Sequence, residues 1–525
     1  IDKCPCTTDI RGWITKISQA EKMGLNEDEV LEASWRELVN TNPFPSVMGR
    51  VCPHPCEDGC NRQAKDGAVS INAMERWIGD WSLEKKLAFE KLTDEKQPES
   101  IGVIGAGPAG LSFAYQMARF GYEVTVYEQF DHAGGMLYYG IPFYRLPADV
   151  LQAEVQRILD LGVELKLGCT VGKDITEKEL RSKHQIIFLG IGAHKGKLLR
   201  IPGEEGPMVF TGTEYLNRVH RGETVDVGKK VGIIGGGDTA IDAARIARRT
   251  GADVTIIYRR TRKEMPAIET EIEDALKEGV KLEYLVAPIE VKRDGDKMTT
   301  LVAKRMELGE PDDSGRRRPV PIEGSEFDIQ IDSLIAAISQ EPEFEPLPGM
   351  SPKKRWLDVS DTGLVNDVDA GDVFAGGDVI DLDIAATAVG HGNRAAQTVH
   401  HKLRGMELPK KWDYPEVKPE RLKLDFYDAQ EKAEPTHRPV EEWLSKPDEE
   451  ITQAVTKELF LAEANRCLSC GMCFGCERCW MYCTPACFKK VDQITPGNYY
   501  TVNMDVCDGC KKCAEECPCG FLDMI

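Results

Sequence analysis

Twelve of the 18 cysteines fall between Cys467 and Cys519, five lie between Cys4 and Cys60, and Cys169 stands alone. Thiolates bind zinc and iron–sulfur clusters as well as forming disulfides, so spacing has to decide among these roles. Cys473-x2-Cys476-x2-Cys479-x3-Cys483 and Cys507-x2-Cys510-x2-Cys513-x3-Cys517-Pro518 are two copies of one run. In such a run three thiolates wrap one cubane and the fourth crosses to the other. The spacing predicts one [4Fe-4S] cluster on Cys473, Cys476, Cys479 and Cys517, and a second on Cys507, Cys510, Cys513 and Cys483. Zinc modules rarely pair such runs. One departure is Pro485, two residues beyond Cys483 rather than next to it. Cys467, Cys470, Cys487 and Cys519 are left over, as buried structural thiols or, for the first two, as ligands of a further centre. Disulfide scaffolds are short and spread their bridges, unlike two dense clusters at opposite ends of a long chain.

Glycines carry the second kind of chemistry. Gly105-Ala106-Gly107-Pro108-Ala109-Gly110 follows the strand-like Ile101–Ile104 and opens a helix-like stretch, and Glu128 ends the next strand. A tight turn, a close backbone approach and a helix N-terminus suit a pyrophosphate, and the acid suits a ribose. The order returns at Gly235-Gly236-Gly237-Asp238-Thr239-Ala240, but here the next strand ends in Tyr258-Arg259-Arg260. Guanidinium groups bind a 2′-phosphate that an acid would repel, so this site leans to NADPH over NADH. Arginines also tolerate NADH, and Arg259 and Arg260 have the alternative of being solvated cations. Two dinucleotide units in one chain imply FAD on the first and NAD(P)H on the second. A third element, Gly376-Gly377-Asp378, suits the ribityl or phosphate part of the same FAD.

The elements that must position these groups follow from the pattern. The expected fold is α/β, with two interleaved Rossmann-like dinucleotide-binding domains. A helical N-terminal Fe-S domain precedes them and a C-terminal bacterial-type 2[4Fe-4S] ferredoxin domain follows. Expected bounds are 1–97 for the helical domain, 98–210 and 349–405 for the FAD domain, 211–348 for the NAD(P)H domain, 406–462 for a surface-wrapping linker and 463–525 for the ferredoxin domain. At about 150 residues per domain, 525 residues accommodate this number. Hydrophobic residues make up 42%, enough for packed cores. The net charge of −21 argues against nucleic acid as a partner. No apolar run approaches the roughly 18 residues of a membrane span, and no secretory pattern is present. A cytoplasmic location is the expectation, and ligand thiolates favour a reducing compartment. The chain opens at Ile1 rather than Met, so residues upstream are expected to have been removed.

The segments Asn42-Pro43, Gly49-Arg50-Val51-Cys52-Pro53, Cys56-Glu57 and Cys60 resemble the N-terminal iron–sulfur domain of the glutamate synthase small-subunit family. So do Gly134-Gly135, Tyr139-Gly140-Ile141-Pro142, Arg145-Leu146-Pro147, Glu264-Met265-Pro266-Ala267 and Phe374–Asp378, and the resemblance covers essentially residues 1–405. It implies a flavin-proximal [4Fe-4S] cluster on Cys4, Cys52 and Cys56, its fourth ligand being Glu75, Cys60 or Cys6. The cysteines that precede Cys4 in the family are absent here. The resemblance also implies that Gly135, Arg145 and Val171 meet the FAD, with Thr387 and Ala388 facing its pyrimidine ring. Ala337-Ile338-Ser339-Gln340 stands where relatives carry Gly-Gln. The tail, with Trp480-Met481-Tyr482-Cys483, resembles the DsrL flavoproteins that accompany dissimilatory sulfite reductase in sulfur metabolism. The implied function is an NAD(P)H:acceptor oxidoreductase passing electrons through FAD and the clusters to a protein redox partner, sulfite reductase. The alternative is the electron-input subunit of a glutamate synthase-like or ferredoxin:NAD(P) transhydrogenase complex. A homodimer is compatible with either. His184, His194 and His391 are expected to be structural, as are Cys169 and the solvated Lys489, Lys490, Lys511 and Lys512.

Overall fold

The structure, a computed structural model, describes residues 3–313, 315–366, 373–408 and 416–523. Parts of the expected second FAD segment and of the linker therefore lie outside the described residues. Two parallel five-stranded sheets form its centre. The first runs Val373–Ala375, Ile186–Leu189, Ser100–Ile104, Glu123–Tyr127, Glu164–Lys166. Four of its strands are largely apolar and buried, as cover on both faces demands, while the edge strand Glu164–Lys166 is polar and partly exposed. The second runs Val209–Thr211, Ser333–Ala336, Lys230–Ile234, Asp253–Tyr258, Lys281–Tyr284. Because Val373–Ala375 pairs with Ile186–Leu189, the chain returns to the first sheet after completing the second. A three-stranded antiparallel insert, Val286–Asp294, Lys297–Pro311 and Arg317–Gln330, projects from the second sheet and was not expected from sequence.

The N-terminal region packs Pro45–Val51 across Ile71–Glu84. A Cβ at Gly49 would lie 2.3 Å from the backbone nitrogen of Arg76, and one at Gly79 would lie 2.4 Å from that of Ser46. Only glycines let the two helices touch backbone to backbone, and that crossing brings Cys52 beside Glu75.

The expected linker is a packed strap rather than a surface wrap. Trp443 and Ile451 are buried in the core of the second sheet, and Phe460 stacks on Trp77 of the N-terminal region at 4.1 Å between centroids. The helix Lys457–Arg466 crosses the expected 462/463 boundary. Its Glu463 accepts from the backbone N–H groups of Ser70 and Ala433, and Arg466 pairs with Glu463 and Asp66. The polar residues of this stretch disguised its apolar anchors. Beyond it, a hairpin (Phe488–Thr495, Asn498–Val502) and two short helices form the cysteine-dense tail. Among the described residues no helix is long and apolar enough to cross a membrane.

Candidate dinucleotide and cluster sites

The first glycine loop leaves its strand through Gly105 at φ +97°, where a Cβ would lie 2.4 Å from the Gly190 carbonyl oxygen. Gly107 then caps the helix Pro108–Arg119 with no side chain accepting from its first turn. Those N–H groups face a cavity of about 910 Å³. Glu128 is buried at its edge, accepting from the N–H groups of Ala106 at 2.8 Å and Phe130 at 3.0 Å. Burial raises its pKa against the pull of these bonds. Of the residues expected at FAD, Gly105, Gly107, Pro108, Ala109, Glu128, Gly135, Val171, Gly377, Asp378 and Ala388 line this cavity. Ala106 and Gly110 are buried within the loop, and Thr387 is not among the lining residues. Arg145 lines the cavity too, but its guanidinium is committed to Asp242 at 2.8 Å and Glu271 at 3.0 Å. It ties the first sheet's domain to helices of the second instead of offering a free cation.

A second cavity of about 590 Å³ lies over Gly235, Gly236, Gly237 and Thr239, with Arg259 and Arg260 at its rim. Gly237 likewise caps its helix, Asp238–Arg249, with no side-chain acceptor. Asp238 turns away, accepting from Ile268 at 3.0 Å and lining the first cavity. Arg259 is exposed. Arg260, by contrast, is buried, donating to the Arg317 carbonyl at 2.7 Å and to Asp312. The expected pair of phosphate cations is thus one available arginine and one structural one. Arg316 of the insert also lines the cavity, and nothing in the sequence pointed to it. Thr239, Pro266, Gln340 and Asp378 line both cavities, so the two meet there. Burial, reinforced by Asp383 and Asp381, pushes the Asp378 carboxyl up to about 6.

A third, small cavity is lined by Cys4, Cys6, Cys52, Cys56 and Glu75. Cys60 is not among its lining residues: the chain turns at Gly59 after the short helix Pro55–Asp58 and carries Cys60 away from Cys56. A hydrogen bond from Cys6 lowers the Cys4 thiol to about 6. Burial and the neighbouring Glu75 push Cys52 up to about 12 and raise Cys56 as well. Glu75 is itself raised by burial and accepts from Asn42 at 2.7 Å. Four thiols and a carboxyl crowded together, with Arg394 acting on Cys6, are a donor set that a positively charged metal core would relieve, so these residues fit such a core. This site shares a wall with the first cavity. Val51 and Pro53, flanking Cys52, line the first cavity, as does Ala385, while Ala386 lines the third and accepts from Cys6 at 3.3 Å.

In the tail, Cys517 lies in the electrostatic field of Cys473, Cys476 and Cys479, and Cys483 in that of Cys513 beside Cys507. The leftover Cys487 joins the second group, its N–H donating to the Cys483 sulfur at 3.2 Å. Cys519 sits 3.8 Å from Cys517. Cys510 is exposed. Among the described residues no three His, Cys, Asp or Glu side chains close around a single ion.

The model of the pyridine nucleotide-disulphide oxidoreductases matches residues 99–398, more than half of the chain. The chain belongs to this family. Residues 1–87 match dihydropyrimidine dehydrogenase domain II, 4Fe-4S cluster. The chain is 35% identical over 512 residues to the NADPH-Fe(3+) oxidoreductase subunit beta of Geobacter sulfurreducens, spanning 90% of this chain and 74% of the relative. It is 36% identical over 420 residues to the small chain of NADPH glutamate synthase from Azospirillum brasilense, spanning 76% and 84%. Mycobacterium tuberculosis FprA in complex with NADPH superposes with a TM-score of 0.51 at 15% identity, over 71% of this chain and 99% of that one, a likeness of fold alone. This pyridine nucleotide-disulphide oxidoreductase is of the glutamate-synthase-small-chain-like kind, an FAD- and iron–sulfur-dependent NAD(P)H:acceptor oxidoreductase. None of these relatives singles out the DsrL flavoproteins.

Proposed function

We propose that the chain is the electron-input subunit of a larger oxidoreductase, taking electrons from NADPH and delivering them singly to a partner protein. The carrying observation is contiguity: the nucleotide cavity opens into the flavin cavity, and the flavin cavity shares the Val51–Pro53 and Ala385–Ala386 wall with the cysteine site. FAD supplies hydride acceptance and release of electrons one at a time, and the clusters supply one-electron relay. The protein's task is to bind, orient and insulate.

In this reading the uncapped helix turn after Gly107 holds the FAD pyrophosphate and Glu128 its ribose. The turn after Gly237 holds the NADPH pyrophosphate, and Arg259, with Arg316, faces the 2′-phosphate. Thr239, Pro266, Gln340 and Asp378, common to both cavities, frame the passage where nicotinamide and flavin meet. Cys4, Cys52, Cys56 and Glu75 hold the flavin-proximal cluster. Cys473, Cys476, Cys479 and Cys517, then Cys507, Cys510, Cys513 and Cys483, hold the tail clusters. Relatives named as a subunit beta and a small chain support a place within a complex.

A second reading is donation to a separate enzyme, dissimilatory sulfite reductase. It draws support from the exposed face of Trp480, Met481 and Tyr482 between Cys479 and Cys483, which suits docking. The test is anaerobic mixing of reconstituted chain with NADPH, following flavin bleaching optically and the clusters by EPR. Reduction of flavin and then clusters, with turnover only in a co-purifying complex, is expected. A flavin that stays oxidised overturns the proposal, and direct reduction of added sulfite reductase favours the second reading.

A further inference from the structure

Cys60 is left outside the N-terminal cavity, and Cys467 and Cys470 stand before the tail runs; the fold brings these three cysteines together. Cys60 and Cys467, both partly buried, pack against one apolar core, the thiols of Cys60 and Cys470 act electrostatically on Cys467, and Cys60 acts on Cys470. Three ties fix the segment carrying Cys467 and Cys470 against the N-terminal helices. Arg11 donates to the Cys470 carbonyl at 2.7 Å, Thr15 and Ser469 share a hydroxyl bond at 2.8 Å, and Arg62 donates to the Arg466 carbonyl at 2.7 Å. The Ser469 backbone and the Asn61 side chain favour the thiolates of Cys467 and Cys470 against burial, and Arg11 lies in the field of both. Ser469 at φ +49° and Gly471 at φ +68° flank Cys470, giving a wrapped loop rather than a helix or strand. Hydrogen bonds to sulfur and a nearby cation stabilise ligating thiolates and tune cluster potentials.

The position matters as much as the chemistry. Cys56 lines the flavin-proximal site, and Cys60 is four residues on. Cys473 belongs to the tail, and Cys470 is three residues before it. The chain cannot stretch beyond about 14 Å and 11 Å across these two links. The three thiols are therefore within short reach of both groups of sites.

We propose that Cys60, Cys467 and Cys470 ligate a further iron–sulfur cluster that bridges the flavin-proximal cluster and the tail. This rests on the proposed electron-input function. Each passage moves one electron in from the proximal cluster, which is oxidised, and one out to the tail, which is reduced. No bond or proton changes, and NADPH is the source of the electrons. Three thiolates suit a three-iron cluster, or a cubane whose fourth iron takes another ligand.

The test uses the whole chain, reconstituted anaerobically, with iron and sulfide counted per FAD. The proposal expects about 15–16 irons per FAD, against about 12 for three cubanes alone. Cys60→Ala and the Cys467→Ala/Cys470→Ala double variant should each lose the same three or four irons and the same EPR component. Both should keep NADPH-dependent flavin bleaching within about twofold while reduction of the tail clusters slows at least about tenfold, each factor of ten being 1.4 kcal/mol of barrier. A wild-type count near 12, zinc in place of the missing iron, or unchanged iron in the variants overturns the proposal. Should the variants fail to retain FAD, the wild-type count and the number of distinct Mössbauer components decide it alone. Absence of flavin bleaching in wild type would overturn the electron-input reading while leaving the iron count to judge the site.

Discussion

At the end of the second strand of the first glycine-loop unit, Glu128 is buried and tied to the N–H groups of Ala106 and Phe130. At the matching place in the second unit, Tyr258 is followed by exposed Arg259 and by Arg260, held through Asp312. Both units share strand, glycine turn and uncapped helix start. What each prefers is written one strand later, in whether the terminal group is a preorganised acceptor or an available cation. The two cavities differ as well: the first, about 910 Å³, shares a wall with the cysteine site, and the second, about 590 Å³, is lined by Arg259 and Arg316.

The largest expected effect sets Gly105 against Gly237. Gly105→Ala would force a Cβ onto the Gly190 carbonyl at a left-handed φ. FAD content should fall below about a tenth of wild type, the steric and backbone penalty exceeding about 1.4 kcal/mol. At Gly237 a Cβ would meet only Pro266 at 3.8 Å, so Gly237→Ala should keep its FAD and raise the KM for NADPH severalfold. Equal FAD loss in both would erase the contrast.

Glu128→Gln removes the charge and one of the two carboxylate oxygens that accept from the backbone N–H groups of Ala106 and Phe130. We expect FAD affinity to drop about 10- to 100-fold by fluorescence titration, charge-assisted bonds being worth about 1.5–3 kcal/mol. Next in size, Arg259→Ala should lower the NADPH/NADH ratio of kcat/KM about tenfold, one such bond. Arg260→Ala should change it about twofold or less while lowering the unfolding midpoint, since its bonds are to Arg317 and Asp312. The reverse ranking would move the phosphate site to Arg260.

The smallest effect lies where the cavities meet. The Asp378 carboxyl, raised to about 6 from an ordinary 3.8, holds its proton longer in the folded chain. Its stabilising protonated form is present at low pH and is lost as pH rises from about 4 to 6. The expected loss is on the order of 1 kcal/mol over that window, after allowance for partial solvent contact. Asp378→Asn should flatten this slope in denaturant titrations, and an unchanged slope would remove Asp378 from the passage.

Much of this was legible in the residues. The strand–glycine–helix order located both cavities, and glycine spacing works because the turn admits no alternative side chain. The doubled cysteine runs grouped the tail, because short loops leave thiols few places to go. Other features were not legible. Arg260 and Asp312 are 52 residues apart, and only the antiparallel insert joins them. The Arg145 pairing with Asp242 and Glu271 depends on how two domains meet, which no local pattern encodes. Glu75, Cys6 and Cys60 are three choices for the fourth ligand of the proximal site, and only the helix crossing at Gly49 and Gly79 shows that Glu75 and Cys6 line the small cavity while Cys60 does not.

The packed strap carries a consequence for how the outgoing current is collected. With Trp443 sunk in one core, Phe460 stacked on Trp77 and Arg466 locked to Asp66, the segment leading into the tail is anchored to the body and is not a swinging arm. In the proposed complex the acceptor subunit must therefore be seated against the tail, because the tail does not travel to it.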